Sequence, residues 1–192
     1  MMYDNIEFGR ICLRKATRED TVQIWKNVWS NENIASMMLW PATKSLEEAK
    51  VRMERTIDFQ SRYLTFFVCL SETDEPIGLA GVRVVSEGVY EECGIAISEK
   101  YQGQGYGKET VMALNHLVFD ILNGEKVTYG CFQQNVKSAN LCKCLGYIYT
   151  HSLEGVRDWD GFRYVADYYE LMVCNYNHKS VQQRRWTYSR FW

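Results

Sequence analysis

The sequence predicts an α/β (α+β) fold: a single domain on a mixed central sheet of about seven strands, with helices on both faces. Three observations carry this. Apolar runs of strand length and stretches of helical period follow one another in the order β-α-α-β-β-β-α-β-α-β-β. That uneven interleaving requires a sheet with both parallel and antiparallel neighbours. The chain has 192 residues, enough for one well-packed domain and short for two. It holds only two prolines, Pro41 and Pro76, and no repeat or low-complexity linker divides it.

The elements follow in order. Arg10–Lys15 is the first strand. Thr17-Arg18-Glu19-Asp20 has the form of a capping box, and Val22, Trp25 and Val28 follow at helical spacing. Residues 31–44 form a loop or broken helix with Met37, Met38, Leu39 and Trp40. Ser45-Leu46-Glu47-Glu48 is a second capping box, with Leu46, Ala49, Met53 and Ile57 on one face behind it. Leu64–Leu70 is a strand, Thr73-Asp74-Glu75-Pro76 its turn, and Ile77–Val85 and Val89–Ser98 are the next two strands. Gly107–Asn123 is the strongest helix, with Val111, Leu114, Val118 and Ile121 in one stripe. Lys126–Phe132 is a strand, Val136–Cys144 a short helix, Tyr147–Leu153 a strand, Gly155–Gly161 a polar turn and Tyr164–Val173 the last strand.

Composition excludes several classes. A net charge of −2 gives no field for nucleic acid or an anionic membrane. The N-terminus lacks a basic-then-apolar secretion signal, and no apolar run approaches the roughly 18 residues of a membrane span. The expected location is therefore the cytoplasm. Seven scattered cysteines read as reduced thiols rather than a disulfide framework. Their spacing, and three distant histidines, predict no metal site.

The segment Gln102-Gly103-Gln104-Gly105-Tyr106-Gly107 lies between a strand and the strongest helix. Glycine lets backbone approach a ligand, and the amides and dipole of a helix start attract an anion. A nucleotide P-loop does not fit: Gly107-Lys108 is followed by Glu109, and position 102 is glutamine. The dinucleotide fingerprint fails as well, because its third glycine falls on Lys108 or Thr110. An anion site and a plain glycine-rich turn both remain open on these residues alone.

The segment resembles the Gln/Arg-x-x-Gly-x-Gly/Ala signature of the GNAT superfamily of N-acetyltransferases, and meets each fixed position. Glu92-Cys93-Gly94-Ile95-Ala96-Ile97 looks like the strand before that loop. Asn135-Val136-Lys137-Ser138 and Leu145-Gly146-Tyr147 resemble the Asn-x-x-Ser…Leu-Gly-Phe block of the branch that acetylates ribosomal-protein N-termini. Gly161-Phe162-Arg163-Tyr164 with Asp167 is similar to the C-terminal strand of that branch, with one extra residue before the aspartate. The resemblance covers about Arg10 to Val173.

The resemblance implies a GNAT-type domain over residues 1–178 whose sheet is splayed in the middle, and an enzyme moving an acetyl group from acetyl-CoA to a primary amine by direct attack. The coenzyme would lie on Gln102, Gly103, Gln104, Gly105, Tyr106, Gly107 and Lys108, on backbone at Ile95, Ala96 and Ile97, and near Asn135 and Ser138. Glu92 matches the position where a glutamate often serves as base, directly or through water. Alternation would put Tyr90, Glu92, Gly94 and Ala96 on one strand face. Many relatives protonate the departing thiolate with a tyrosine after the leucine of the short helix; here Leu141 is followed by Cys142, leaving Tyr147 and Tyr149 as substitutes.

The acceptor walls would be residues 29–40 and 155–161, where Glu32, Asp158 and Asp160 beside Trp40 and Trp159 suit a cationic amine. The acceptor would be a small amine or a protein N-terminus. The alternative function is a CoA-binding module without catalysis. No metal, nucleic-acid or membrane partner is expected. The tail, 179–192, carries Trp186, Tyr188, Phe191 and Trp192 among arginines, and is expected to dock on the domain or on a second copy in a homodimer.

Overall fold

The computed structural model describes residues 4–176; the aromatic tail and its expected docking lie outside them. Asn5–Phe8 (β1) and Ile11–Arg14 (β2) form a hairpin. The Thr17–Asp20 capping box starts a short 3-10 turn, then Thr21–Ile24 (α1) runs into a π-helical turn, Trp25–Trp29. Glu32–Ser36 (α2) and Leu46–Arg62 (α3) follow. Ser45 Oγ accepts the Glu48 N–H, while the Glu48 carboxylate reaches back to the Lys44 N–H rather than to Ser45. Leu64–Leu70 (β3), Pro76–Ser86 (β4), Val89–Glu92 (β5) and Ala96–Ile97 (β6) lead to Tyr106–His116 (α4), which ends in a π-helical turn, Leu117–Ile121. Lys126–Phe132 (β7), Val136–Cys144 (α5), Ile148–Val156 (β8) and Arg163–Met172 (β9) complete the domain.

The strands form one mixed sheet in the order β1-β2-β3-β4-β5-β7-β9-β8, with β6 paired to β4. Nine strands stand where about seven are expected. The first addition is β1, a short edge strand that turns back through Gly9 and Arg10. The second arises because Val89–Ser98 is two strands. Gly94 sits at φ 115°, in the left-handed region that side chains avoid, and interrupts the ladder.

Each sheet face has its own core. Val111, Leu114, Leu117 and Val118 of the α4 segment and Ala139 and Cys142 of α5 pack on one face with Ile11, Leu13, Phe66, Val82, Tyr129 and Leu171. Ile24, Val28 and Trp29, with Ala49 and Met53 of α3, cover the other face against Phe67, Cys69 and Ala96. Burial of these stripes is the main favourable term, at roughly 25 cal/mol per Å² of apolar surface.

The sheet forks at its centre. β5 and β7 are parallel and pair only through Val89–Glu91 against Lys126–Thr128. Past that point β6 stays with β4, and β7 stays with β9. The inner edges of β6 and of β7 beyond Thr128 therefore carry no strand ladder among the described residues.

Candidate functional site

The fork and its bulge decide which way each side chain faces. Glu92 stands opposite Val82, whose side chain belongs to the α4 core, so Glu92 shares that face. Ile97 belongs to the same core, while Ala96 belongs to the α3 core. The expected alternation, with Glu92 and Ala96 on one face, is therefore corrected. The interruption at Cys93–Ile95 inserts an extra residue and flips the parity. Cys93 and Gly94 line a cavity on the α3 side, one step from a carboxyl that faces the α4 side.

Glu91 and Glu92 are separated by partner as well as by face. Glu91 binds Arg83 at 2.5 Å. Glu92 accepts the backbone N–H of Gly94, two residues on. Burial pushes the Glu92 carboxyl up to about 8, the Gly94 hydrogen bond opposes this, and the Glu91 charge adds to the rise. Burial raises the Tyr129 and Tyr147 phenols, and the Glu92 charge adds to the rise in both.

The glycine loop is held by side chains of its own. Gln102 Nε2 donates to the Ile97 carbonyl at 2.9 Å, tying the loop to β6. Gln104 Nε2 donates to the Lys100 carbonyl at 2.8 Å. Gly103 and Gly105 have φ of 75° and 93°. Glu109 donates the first bond of α4, to the Gly105 carbonyl at 3.0 Å. The amides of Tyr106, Gly107 and Lys108 thus point past the helix start, as an anion site requires. Lys108 is exposed beside them.

Sequence reasoning missed the clamp on this loop. Arg10, in the β1–β2 turn, donates to Glu109 Oε1 from Nε at 2.8 Å and from Nη2 at 2.6 Å, and to the Gln104 carbonyl at 2.8 Å. Its backbone N–H bonds Glu109 Oε2 at 3.0 Å, and its guanidinium lies 4.3 Å from the Tyr106 ring centre. Glu109, read in the sequence only as a break in the P-loop pattern, anchors the first turn of α4.

Asn135 caps α5: its Oδ1 accepts the Ser138 N–H at 3.1 Å. The Ser138 hydroxyl lies 2.8 Å from that of Tyr129 on β7, a partner the sequence did not suggest. Cys142, at the family's tyrosine position, is buried with its thiol on the Ala139 carbonyl, and burial pushes it up to about 12. Of the two substitutes named for that tyrosine, Tyr147 donates to Asn115 in the core at 2.6 Å, and Tyr149 is exposed on β8 beside Ser152. Neither hydroxyl is hydrogen-bonded to Glu92 or Tyr129.

In the two segments expected to wall the acceptor, residues 29–40 and 155–161, two of the three acids named there are engaged. Glu32 pairs with Lys44 at 2.5 Å and Asp160 with Arg157 at 2.5 Å. Trp40 lies beside an arginine, with Arg52 4.3 Å from its ring centre. Arg157, at 7% exposure, also donates to the Ser36 carbonyl at 3.0 Å and the Met38 carbonyl at 3.2 Å. One buried side chain thereby joins the two walls.

A GNAT acetyltransferase domain model matches residues 10–148, most of the chain. The chain belongs to the GNAT acetyltransferase family. An uncharacterized N-acetyltransferase, p20, of Bacillus licheniformis is 24% identical over 141 residues, covering 72% of this chain and 79% of the relative. The GNAT-family acetyltransferase structure from Bacillus anthracis superposes with a TM-score of 0.76 at 16% identity, over 88% of this chain and 98% of that one. The microcin C7 self-immunity acetyltransferase MccE, solved with acetyl-CoA and AMP, gives 0.72 at 16% identity over 85% and 92%. This GNAT chain is thus an acetyl-CoA-dependent acetyltransferase, and no helix among its described residues is long and apolar enough to cross a membrane.

Proposed function

We propose that this chain transfers the acetyl group of acetyl-CoA directly to a small primary amine, with Glu92 as the base. The observation that carries the reading is the position of Glu92: at the fork, one step from the Gly94-lined cavity, with its carboxyl pushed up to about 8. A base is most effective when its pKa lies near the working pH.

The residues present fit the coenzyme. The glycine loop and the open amides of α4 suit the pyrophosphate, with Gln102 and the Arg10–Glu109 clamp holding that loop in shape. The unladdered edges of β6 and β7 suit the pantetheine arm, whose amides can pair with strand backbone. When bound, acetyl-CoA supplies the activated acetyl group. Because its carboxyl faces the α4 side while the cavity opens on the α3 side, Glu92 takes the proton of the attacking amine through water in the fork. That proton passes through solvent to the departing sulfur, giving the free thiol of CoA, and the Ser138 hydroxyl, held by Tyr129, would donate a hydrogen bond to the sulfur as it leaves.

The cavity of about 370 Å³ between α3 and the sheet favours a small acceptor over a protein N-terminus. The test is CoA release from acetyl-CoA with a panel of amines. Amine-dependent release supports the reading. Coenzyme binding without release from any amine would leave a CoA-binding module.

A further inference from the structure

The cavity beside Gly94 contains a cation with no counter-charge. Trp29, Trp40, Arg52, Phe59, Phe67 and Gly94 are among its lining residues. Arg52 rises from α3 with its guanidinium over two indoles, 4.7 Å from the Trp29 ring centre and 4.3 Å from that of Trp40. Trp29 is 1% exposed, so one of these two rings is fixed core. Burial pulls the Arg52 guanidinium down to about 10, and no carboxylate opposes that pull.

Four acids on α3 or in the segment before it have partners other than Arg52. Glu54 holds Arg18 at 2.6 Å, Glu48 accepts the Lys44 N–H at 2.9 Å, Asp58 holds Arg62, and Glu32 holds Lys44. Among the described residues Arg52 has no salt bridge. A guanidinium carries five N–H donors, all at its edge. Here Nη1 donates to Thr43 Oγ1 at 3.0 Å, the one side-chain hydrogen bond Arg52 makes among the described residues. The ring faces satisfy the faces of the guanidinium and leave most of its edge available. A partly buried, unpaired arginine is costly for folding alone. Its planar edge matches a carboxylate in bidentate fashion.

We propose that Arg52 binds a carboxylate on the acceptor, so that the substrate class is a small amine carrying one carboxylate on an apolar body, as in an amino acid. The inference rests on the reading of this chain as an amine acetyltransferase. Trp29, Trp40, Phe59 and Phe67 supply the apolar surface for the body, and Cys93 and Gly94 mark the end of the cavity toward the fork. This shifts the expected recognition from the acids of the walls to the acceptor's own carboxylate, since Glu32 and Asp160 are held by Lys44 and Arg157.

The test compares matched acceptors differing only in the carboxylate: phenylalanine with phenethylamine, leucine with isoamylamine, and methionine with 3-(methylthio)propylamine. For the wild type, kcat/KM should be at least tenfold higher for the carboxylate member of a pair. In Arg52→Gln that ratio should fall by about 10–100-fold, the range for losing a hydrogen bond to a charged group, while Arg52→Lys keeps part of it. A second readout needs no turnover: titration of N-acetylphenylalanine against N-acetylphenethylamine in the presence of CoA, by calorimetry, on wild type and Arg52→Gln. Acetylation without carboxylate preference, or a preference unchanged in Arg52→Gln, overturns this inference and leaves the proposed function standing. Arg52-dependent binding of N-acetylphenylalanine with no turnover of any amine supports the inference and removes the proposed catalysis. Neither turnover nor selective binding overturns both.

Discussion

The hydroxyls of Tyr129 and Ser138 lie 2.8 Å apart, joining strand β7 to the first turn of α5 at the edge of the fork. Burial raises the Tyr129 phenol well above its ordinary range, so it stays protonated. Ser138→Ala should lower kcat by about 10–100-fold, and Tyr129→Phe should do so less strongly, since it removes only the support. Acetyl-CoA affinity, measured by calorimetry, should change little in either variant. Unchanged kcat in Ser138→Ala would remove it as the hydrogen-bond donor to the leaving sulfur.

Glu92→Gln should reduce turnover by about 10²–10⁴-fold with acetyl-CoA affinity nearly preserved. It should also affect stability with a defined sign. The folded carboxyl titrates at about 8 and the unfolded one near 4.5, so the folded state binds the proton more tightly. Stability tied to Glu92 is present below about pH 4.5 and is lost as pH rises toward 8. The glutamine variant, which cannot ionise, should melt higher than wild type at pH 8.5, and the gap should close toward pH 5. Equal melting temperatures at both pH values would contradict the burial of this carboxyl.

Gly105→Asp should abolish acetyl-CoA binding. Position 105 has φ of 93°, where a side chain is strained, and a Cβ there would stand 3.2 Å from Arg10 Nη2. The added charge would also face the amides of α4. Binding retained within tenfold would argue against the loop as the pyrophosphate site.

Arg157→Ala should loosen both acceptor walls together. It deletes the hydrogen bonds to the Ser36 and Met38 carbonyls and leaves Asp160 without its partner. The expected cost is about 2–4 kcal/mol, a lowering of roughly 4–16 °C in Tm for a chain of this size. A Tm within 1 °C of wild type would show that the walls hold without it.

The element order was legible because strand length, helical spacing and capping boxes agree along the chain. The Thr17–Asp20 box and the helix stripe from Val111 to Val118 appear as read. The break at Gly94 was not legible, because alternation assumes an unbroken strand and a bulge shifts parity without a strong local signal. That single residue sends Ala96 to the opposite face from Glu92. The loop motif was visible, but its clamp was not: Arg10 and Glu109 are 99 residues apart. Nothing in the sequence around Arg52 sets it apart. Only the fold brings it against Trp29 and Trp40, with no salt bridge among the described residues.

Glu92 is proposed as the base for acetyl transfer to an amine at the fork. The most direct measurement is amine-dependent CoA release from acetyl-CoA across pH 6 to 9, for wild type and Glu92→Gln side by side. Wild-type kcat/KM should rise through about pH 8, and the variant should be slower at every pH and lack that inflection if Glu92 is the base. A wild-type rate that the variant matches across this range would contradict it.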